Sequence, residues 1–161
     1  MPLPDISSSV VRLSPADAGE VLTLQLAAWV QEAHANDTLA IPPLHETLAD
    51  VARDLGDGRF TVWGVREGGR LVAMVRTSPR DGGRTAFVGR LGVVPDRQGG
   101  GLGAALLALA EARVPATVER FELVTGARSS ANHAFYARQG YAPVPDADGP
   151  EGTVTFRKPA R

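Results

Sequence analysis

From Leu91 to Ala104 the chain reads Leu-Gly-Val-Val-Pro-Asp-Arg-Gln-Gly-Gly-Gly-Leu-Gly-Ala, with glycine at positions 99, 100, 101 and 103. This run joins an apolar stretch, Thr85 to Val94, to a segment in which Leu102, Leu106 and Leu109 recur at helical spacing. The first turn of a helix leaves its backbone N–H groups unpaired and carries partial positive charge, so it attracts an anion wherever side chains do not block the approach. Glycine keeps that approach open, at a cost in backbone entropy that an ordinary turn does not require. The run therefore predicts a phosphate-binding turn. Two common phosphate loops fit it poorly. Gly99, Gly101 and Ala104 have the G-x-G-x-x-A spacing of a dinucleotide turn, but that motif opens a parallel βαβ unit, and here antiparallel strands precede it. A nucleoside triphosphate loop needs Lys and then Ser or Thr after its last glycine, and Leu102 and Ala104 supply neither charge nor a magnesium ligand.

Composition narrows the remaining chemistry. There is no cysteine, which excludes thiolate metal sites, disulfides and a cysteine nucleophile. Lys plus Arg number 17 against 18 for Asp plus Glu, so no general excess of positive charge is available to neutralise a nucleic acid. The 161 residues, 43% hydrophobic and 22% charged, suit one domain spanning 1–161. No apolar run approaches the ~18 residues of a membrane span, and Met1 to Val10 lacks a basic segment leading into an apolar one, so a cytoplasmic protein with no membrane partner is expected.

The elements that position the glycine run follow from periodicity. Val10 to Leu13 reads as a first strand, ended by Ser14-Pro15 at a helix start. Ala18, Leu22, Leu26, Trp29 and Ala33 form a helical stripe, and Leu44, Leu48, Val51 and Leu55 mark a second helix closed by Gly56-Asp57-Gly58. Phe60 to Val65 and Leu71 to Thr77, joined by Glu67-Gly68-Gly69-Arg70, predict a hairpin, with Thr85 to Val94 as the next strand. After the glycine run a helix is closed off by Pro115; Phe121 to Thr125 is a strand. Ser129 and Ser130 offer N-caps for a short helix to Gln139, with Gly140 as its left-handed cap, and Tyr141 to Val144 and Thr153 to Lys158 close the chain as strands. The order β-α-α-β-β-β-α-β-α-β-β is that of a mixed α/β layer fold.

Two segments carry a resemblance. Gln98-Gly99-Gly100-Gly101-Leu102-Gly103 resembles the (Gln/Arg)-x-x-Gly-x-(Gly/Ala) signature of the GNAT superfamily of N-acetyltransferases, and Leu91 to Pro95 resembles the fourth strand before it. Asn132-His133-Ala134-Phe135-Tyr136-Ala137-Arg138-Gln139-Gly140-Tyr141 is similar to a later segment of the same superfamily, with a compact spacing between Asn132 and Tyr136. With the element order, the likeness covers essentially the whole chain. It implies a mixed, mainly antiparallel central sheet of about seven strands flanked by about four helices and split between the fourth and fifth strands.

It also implies acetyl coenzyme A as cosubstrate, lying in that split, with no metal. Backbone at Leu91, Gly92 and Val93 would pair with the pantetheine arm. The turn from Gln98 through Gly99, Gly100, Gly101, Leu102 and Gly103 to Ala104 would hold the pyrophosphate, and Asn132 would support the coenzyme. A bulge in the fourth strand can aim a backbone N–H at the thioester carbonyl and stabilise a developing oxyanion. Direct attack by a primary amine needs no covalent enzyme intermediate, which suits a chain without cysteine. The resemblance makes Tyr136 the acid that protonates the departing sulfur. The base stays open among Glu32, His34, His45 and Glu122, with Asp37 and Glu46 beside the same loop, because Ala86 to Leu91 carries no carboxylate. His133 reads as solvent-facing, Arg128 as an acceptor or phosphate contact or a solvated side chain, and Trp29 and Trp63 as core or pocket walls. The acceptor is a small-molecule or peptide amine, and a homodimer is common in this superfamily. A coenzyme-binding sensor without turnover is the alternative.

Overall fold

The computed structural model describes residues 2–145 and 147–161. Its strands are β1 (Val10–Arg12), β2 (Thr61–Glu67), β3 (Arg70–Arg80), β4 (Thr85–Val93), β5 (Arg120–Gly126), β6 (Ala142–Pro143) and β7 (Thr153–Pro159). They form one seven-stranded sheet in the order β1-β2-β3-β4-β5-β7-β6. Every neighbouring pair is antiparallel except β4 and β5, which run parallel. The helices are α1 (Ala18–Ala28), α2 (Val30–Ala35), α3 (Leu48–Gly56), α4 (Leu102–Ala112) and α5 (Ser130–Arg138). The Trp29 N–H donates to the Gln25 carbonyl at 3.1 Å and the Ala33 N–H to the Trp29 carbonyl at 3.0 Å, so α1 and α2 are one helix bent at Trp29. Counted that way, the expected four helices are present.

The hairpin between β2 and β3 turns on Gly68 and Gly69 at φ +55° and +83°, the conformation that a two-residue turn between right-twisted strands demands. The stripe expected for the first helix is displaced. Val21, Leu24 and Gln25 are buried, while Leu26 is 43% exposed. Burial of a glutamine explains the displacement: the Gln25 amide donates to Glu46 at 2.8 Å, so a polar residue occupies a core-facing position that apolar periodicity does not reveal.

Two features of the sheet make a site. The first is how briefly β4 and β5 pair: Thr85 with Arg120, Ala86 with Phe121 and Phe87 with Glu122, after which β4 has no strand partner on that side among the described residues while β5 continues along β7 to Gly126. The sheet is therefore split between its fourth and fifth strands. The second is a bulge. Arg76 faces Gly89 and Met74 faces Gly92, so Arg90 and Leu91 together oppose Val75, and Arg90 has φ +50°. Consecutive residues beyond the bulge face opposite layers. A Cβ on Gly92 would stand 2.7 Å from Trp29 Cη2, on the α1–α2 side, whereas the Val93 side chain lies against α4 at Gly103.

Candidate active site

The glycine turn adopts the conformation its composition predicts. Gly99 and Gly101 both have φ +82°, Gly101 is the N-cap of α4, and no side chain caps that helix. Its first backbone bond runs from the Ala105 N–H to the Gly101 carbonyl at 3.0 Å, so the amides of Leu102, Gly103 and Ala104 precede the helical ladder and are free for an anion. Gln98 acts on the protein instead: its Nε2 donates to the Val93 carbonyl at 3.1 Å and ties the turn to the end of β4.

The turn opens into a cavity of about 680 Å³, within the size range of small-ligand sites. Leu91, Gly92 and Val93 of the unpaired part of β4 form one wall, Asn132, Phe135 and Tyr136 of α5 a second, and Trp29 and Glu32 a third. Gly92 is what allows the indole of Trp29 to lie against β4, and Gly103 brings α4 close to Phe135. The expected coenzyme-contacting residues other than Gly100 all line this cavity.

Of the expected bases, Glu32 alone lines it. One carboxylate oxygen of Glu32 accepts from the Gly126 N–H at 3.1 Å and the other from Asn132 Nδ2 at 2.7 Å. A carboxylate has about four lone-pair positions, so acceptor capacity remains. The structure places the others elsewhere. Glu122 sits where β4 and β5 are still paired, held by Arg157 at 2.7 Å and Arg80 at 3.2 Å, because its register puts it at the closed end of the split. His34 is exposed and outside the cavity. The His45 ring bonds the Leu39 carbonyl at 2.6 Å and braces its own loop. Glu46 pairs with Arg90 at 2.6 Å.

Tyr136 is half-buried at the cavity wall, and among the described residues its hydroxyl makes no hydrogen bond. Burial, and after it the negative charge of Glu32, pushes the phenol above its ordinary value. His133 departs from expectation: its Nε2 meets the Gly126 carbonyl at 2.8 Å and its ring packs 5.3 Å from that of Phe156, so it faces inward and holds the start of α5 to the end of β5. Ser129 also departs, because its hydroxyl accepts from Asn36 Nδ2 at 2.8 Å and does not cap α5. Of the two readings for Trp63 the structure gives core: it packs against the buried cluster, and the guanidinium of Arg113 covers it at 4.3 Å from the ring centroid.

Two side chains of consequence carry no motif. Arg138 lines the cavity beside Arg128, and among the described residues neither has an acidic partner, leaving two cations on the cavity wall. Asn36 accepts from the Arg128 N–H at 3.1 Å and donates to Ser129, joining α2 to the loop after β5. In sequence, Arg138 is only a basic residue in a last helical turn and Asn36 only a loop residue. Among the described residues no group of three His, Asp or Glu side chains stands ready to hold a metal ion.

Comparison with known proteins fits this geometry. The structure is similar to the PaiA N-acetyltransferase of Thermoplasma acidophilum in complex with coenzyme A (TM-score 0.75, 14% identity, 93% of this chain and 97% of that one). It is similar also to an acetyltransferase of Thermus thermophilus (TM-score 0.75, 23% identity, covering 94% and 97%). A third likeness is to the ribosomal-protein-S18-alanine N-acetyltransferase of Escherichia coli (TM-score 0.72, 20% identity, covering 94% and 93%). No curated protein sequence matches the chain. The profile of the acetyltransferase (GNAT) family does match, over residues 24–141, and so takes in the bulged strand, the glycine turn, the split and α5 together. That continuous match across every element of the cavity shows that the chain belongs to the GNAT family of acetyltransferases.

Proposed function

We propose that the chain moves an acetyl group, or another short acyl group, from coenzyme A to a primary amine by direct attack, with Tyr136 as general acid. The observation that carries this reading is the uncapped N-terminus of α4 opening onto a cavity between parted strands, with the unbonded Tyr136 hydroxyl in its wall. Acetyl coenzyme A would supply an acyl thioester. The amides of Leu102, Gly103 and Ala104 suit its pyrophosphate, with Arg128 and Arg138 adding positive charge. The unpaired edge at Leu91 to Val93 suits its amide-bearing arm.

Within the cavity Tyr136 holds a proton at Oη, and its raised value keeps it there across the physiological range. Glu32 is assigned as the group that receives the amine's proton, since it is the expected base that reaches the cavity. Asn132 orients that carboxylate. Release of free thiol from acetyl coenzyme A against a panel of amines, amino acids and peptides tests the reading. Thiol release dependent on one amine class supports it. Calorimetric binding of coenzyme A with no release would make the chain a sensor, and binding of NAD without coenzyme A would overturn the site assignment.

A further inference from the structure

Arg90 is an arginine where the backbone favours glycine. It is a non-glycine residue at φ +50° in the middle of a strand, and such strain persists only where surrounding contacts hold it. Those contacts are specific. Arg90 Nη2 donates to Glu46 Oε1 at 2.6 Å, with side chains only 16% and 17% exposed. The other Glu46 oxygen accepts from Gln25 Nε2 of α1 at 2.8 Å. Arg76, paired to Asp54 at 3.1 Å, lines the same small pocket, and among the described residues the buried Arg90 Nε has no partner.

Two charges and an orphaned donor buried together are a costly way to stabilise a sheet, since an apolar pair of similar volume commonly does as well. Their placement gives them a use. Arg90 faces the small pocket while Leu91, next in the chain and part of the same bulge, lines the large cavity. Glu46 belongs to the segment between α2 and α3 and lines the small pocket with Gln25 of α1 and Asp54 of α3. The pair therefore joins that segment to the point where β4 changes register.

We infer that Arg90 and Glu46 are a positioning pair, which locks the β4 bulge in one conformation and so fixes the direction of the Leu91–Gly92 backbone in the cavity. The inference rests on the acetyltransferase reading, but neither residue touches the reacting atoms. The pair acts through the backbone, so its loss should lower turnover without weakening the grip of the glycine turn on coenzyme A.

The test uses Glu46→Gln, Arg90→Gly and the double variant. Glycine accepts φ +50° without strain, and the double variant leaves neither of the two charges unpaired, so folding is preserved. In the double variant, coenzyme A affinity by calorimetry is expected to fall less than kcat does, because the glycine turn still holds the pyrophosphate, while kcat for the best amine falls about tenfold or more, as displacement of a positioned group does. The backbone amide resonances of Leu91 and Gly92 in the coenzyme complex are expected to shift in all three variants. Wild-type kcat in the folded double variant, or unmoved Leu91 and Gly92 resonances, overturns the inference. If the unaltered protein releases no thiol with any amine, the acetyltransferase reading fails on its own, and the resonances still decide whether the pair holds the bulge.

Discussion

At the scale of single residues, the cavity wall combines the Tyr136 hydroxyl, which makes no hydrogen bond among the described residues, with unpaired peptide nitrogens at the start of α4. Tyr136→Phe removes the hydroxyl and keeps the ring in the wall. A thiolate leaves readily because the thiol's ordinary pKa is near 8.5, so turnover is expected to drop about 10- to 100-fold with coenzyme affinity unchanged, read by thiol-release kinetics beside calorimetry. An unaltered rate would remove the acid role. Gly101→Val places a β-branched side chain at φ +82° with its Cβ 3.2 Å from Pro4 Cδ. Coenzyme affinity is expected to fall at least about tenfold and the melting temperature with it, since a left-handed backbone costs a non-glycine residue about 1–2 kcal/mol. Wild-type affinity would exclude this turn as the anion site. Glu46 gives a pH prediction. Burial raises its carboxyl, but hydrogen bonds from Arg90 and Gln25 and the arginine charges outweigh that and leave it below its ordinary value. A lowered folded value means that its contribution is present above the unfolded value of about 4.3 and is lost as pH falls through the folded one. The melting temperature of Glu46→Gln should therefore converge on that of the unaltered protein as the solution is acidified through this range, and a constant gap would refute it.

At the scale of elements, the split needs something to satisfy the end of β5 where β4 has left it, and α2 does so. Glu32 accepts the Gly126 N–H and Asn36 the Arg128 N–H, so two side chains of one helix and its C-cap replace ladder bonds that a neighbouring strand would have made. Gly126 fits because a Cβ there would meet the Asn36 side chain at 2.5 Å from its Cγ. Asn36→Ala leaves the Arg128 N–H and the Ser129 hydroxyl without these partners. A loss of about 1–3 kcal/mol is expected. Chemical denaturation would measure it, and an unchanged midpoint would show that α2 is not the support of the parted strand. Helix α2 was legible only as part of a longer apolar stripe. Its polar residues look like surface residues, because what they bond lies 92 to 100 positions away.

At the scale of the whole molecule, a seven-stranded sheet parts after three parallel residue pairs, and the cavity of this GNAT-family chain is the space that opens there. No helix among the described residues is long and apolar enough to cross a membrane. By itself the amino-acid sequence determined the element order, the two-glycine hairpin, the glycine turn at a helix start and Tyr136 on a short helix, because each depends on neighbours a few positions apart. The tertiary structure decided which carboxylate reaches the cavity, that Glu122 sits at the closed end of the split, and that Arg90 sits in a bulge braced by Glu46, 44 positions away. Those outcomes depend on strand register and on which helix packs beside which strand. Such long-range pairings follow from burying the whole chain at once, and local periodicity carries no record of them.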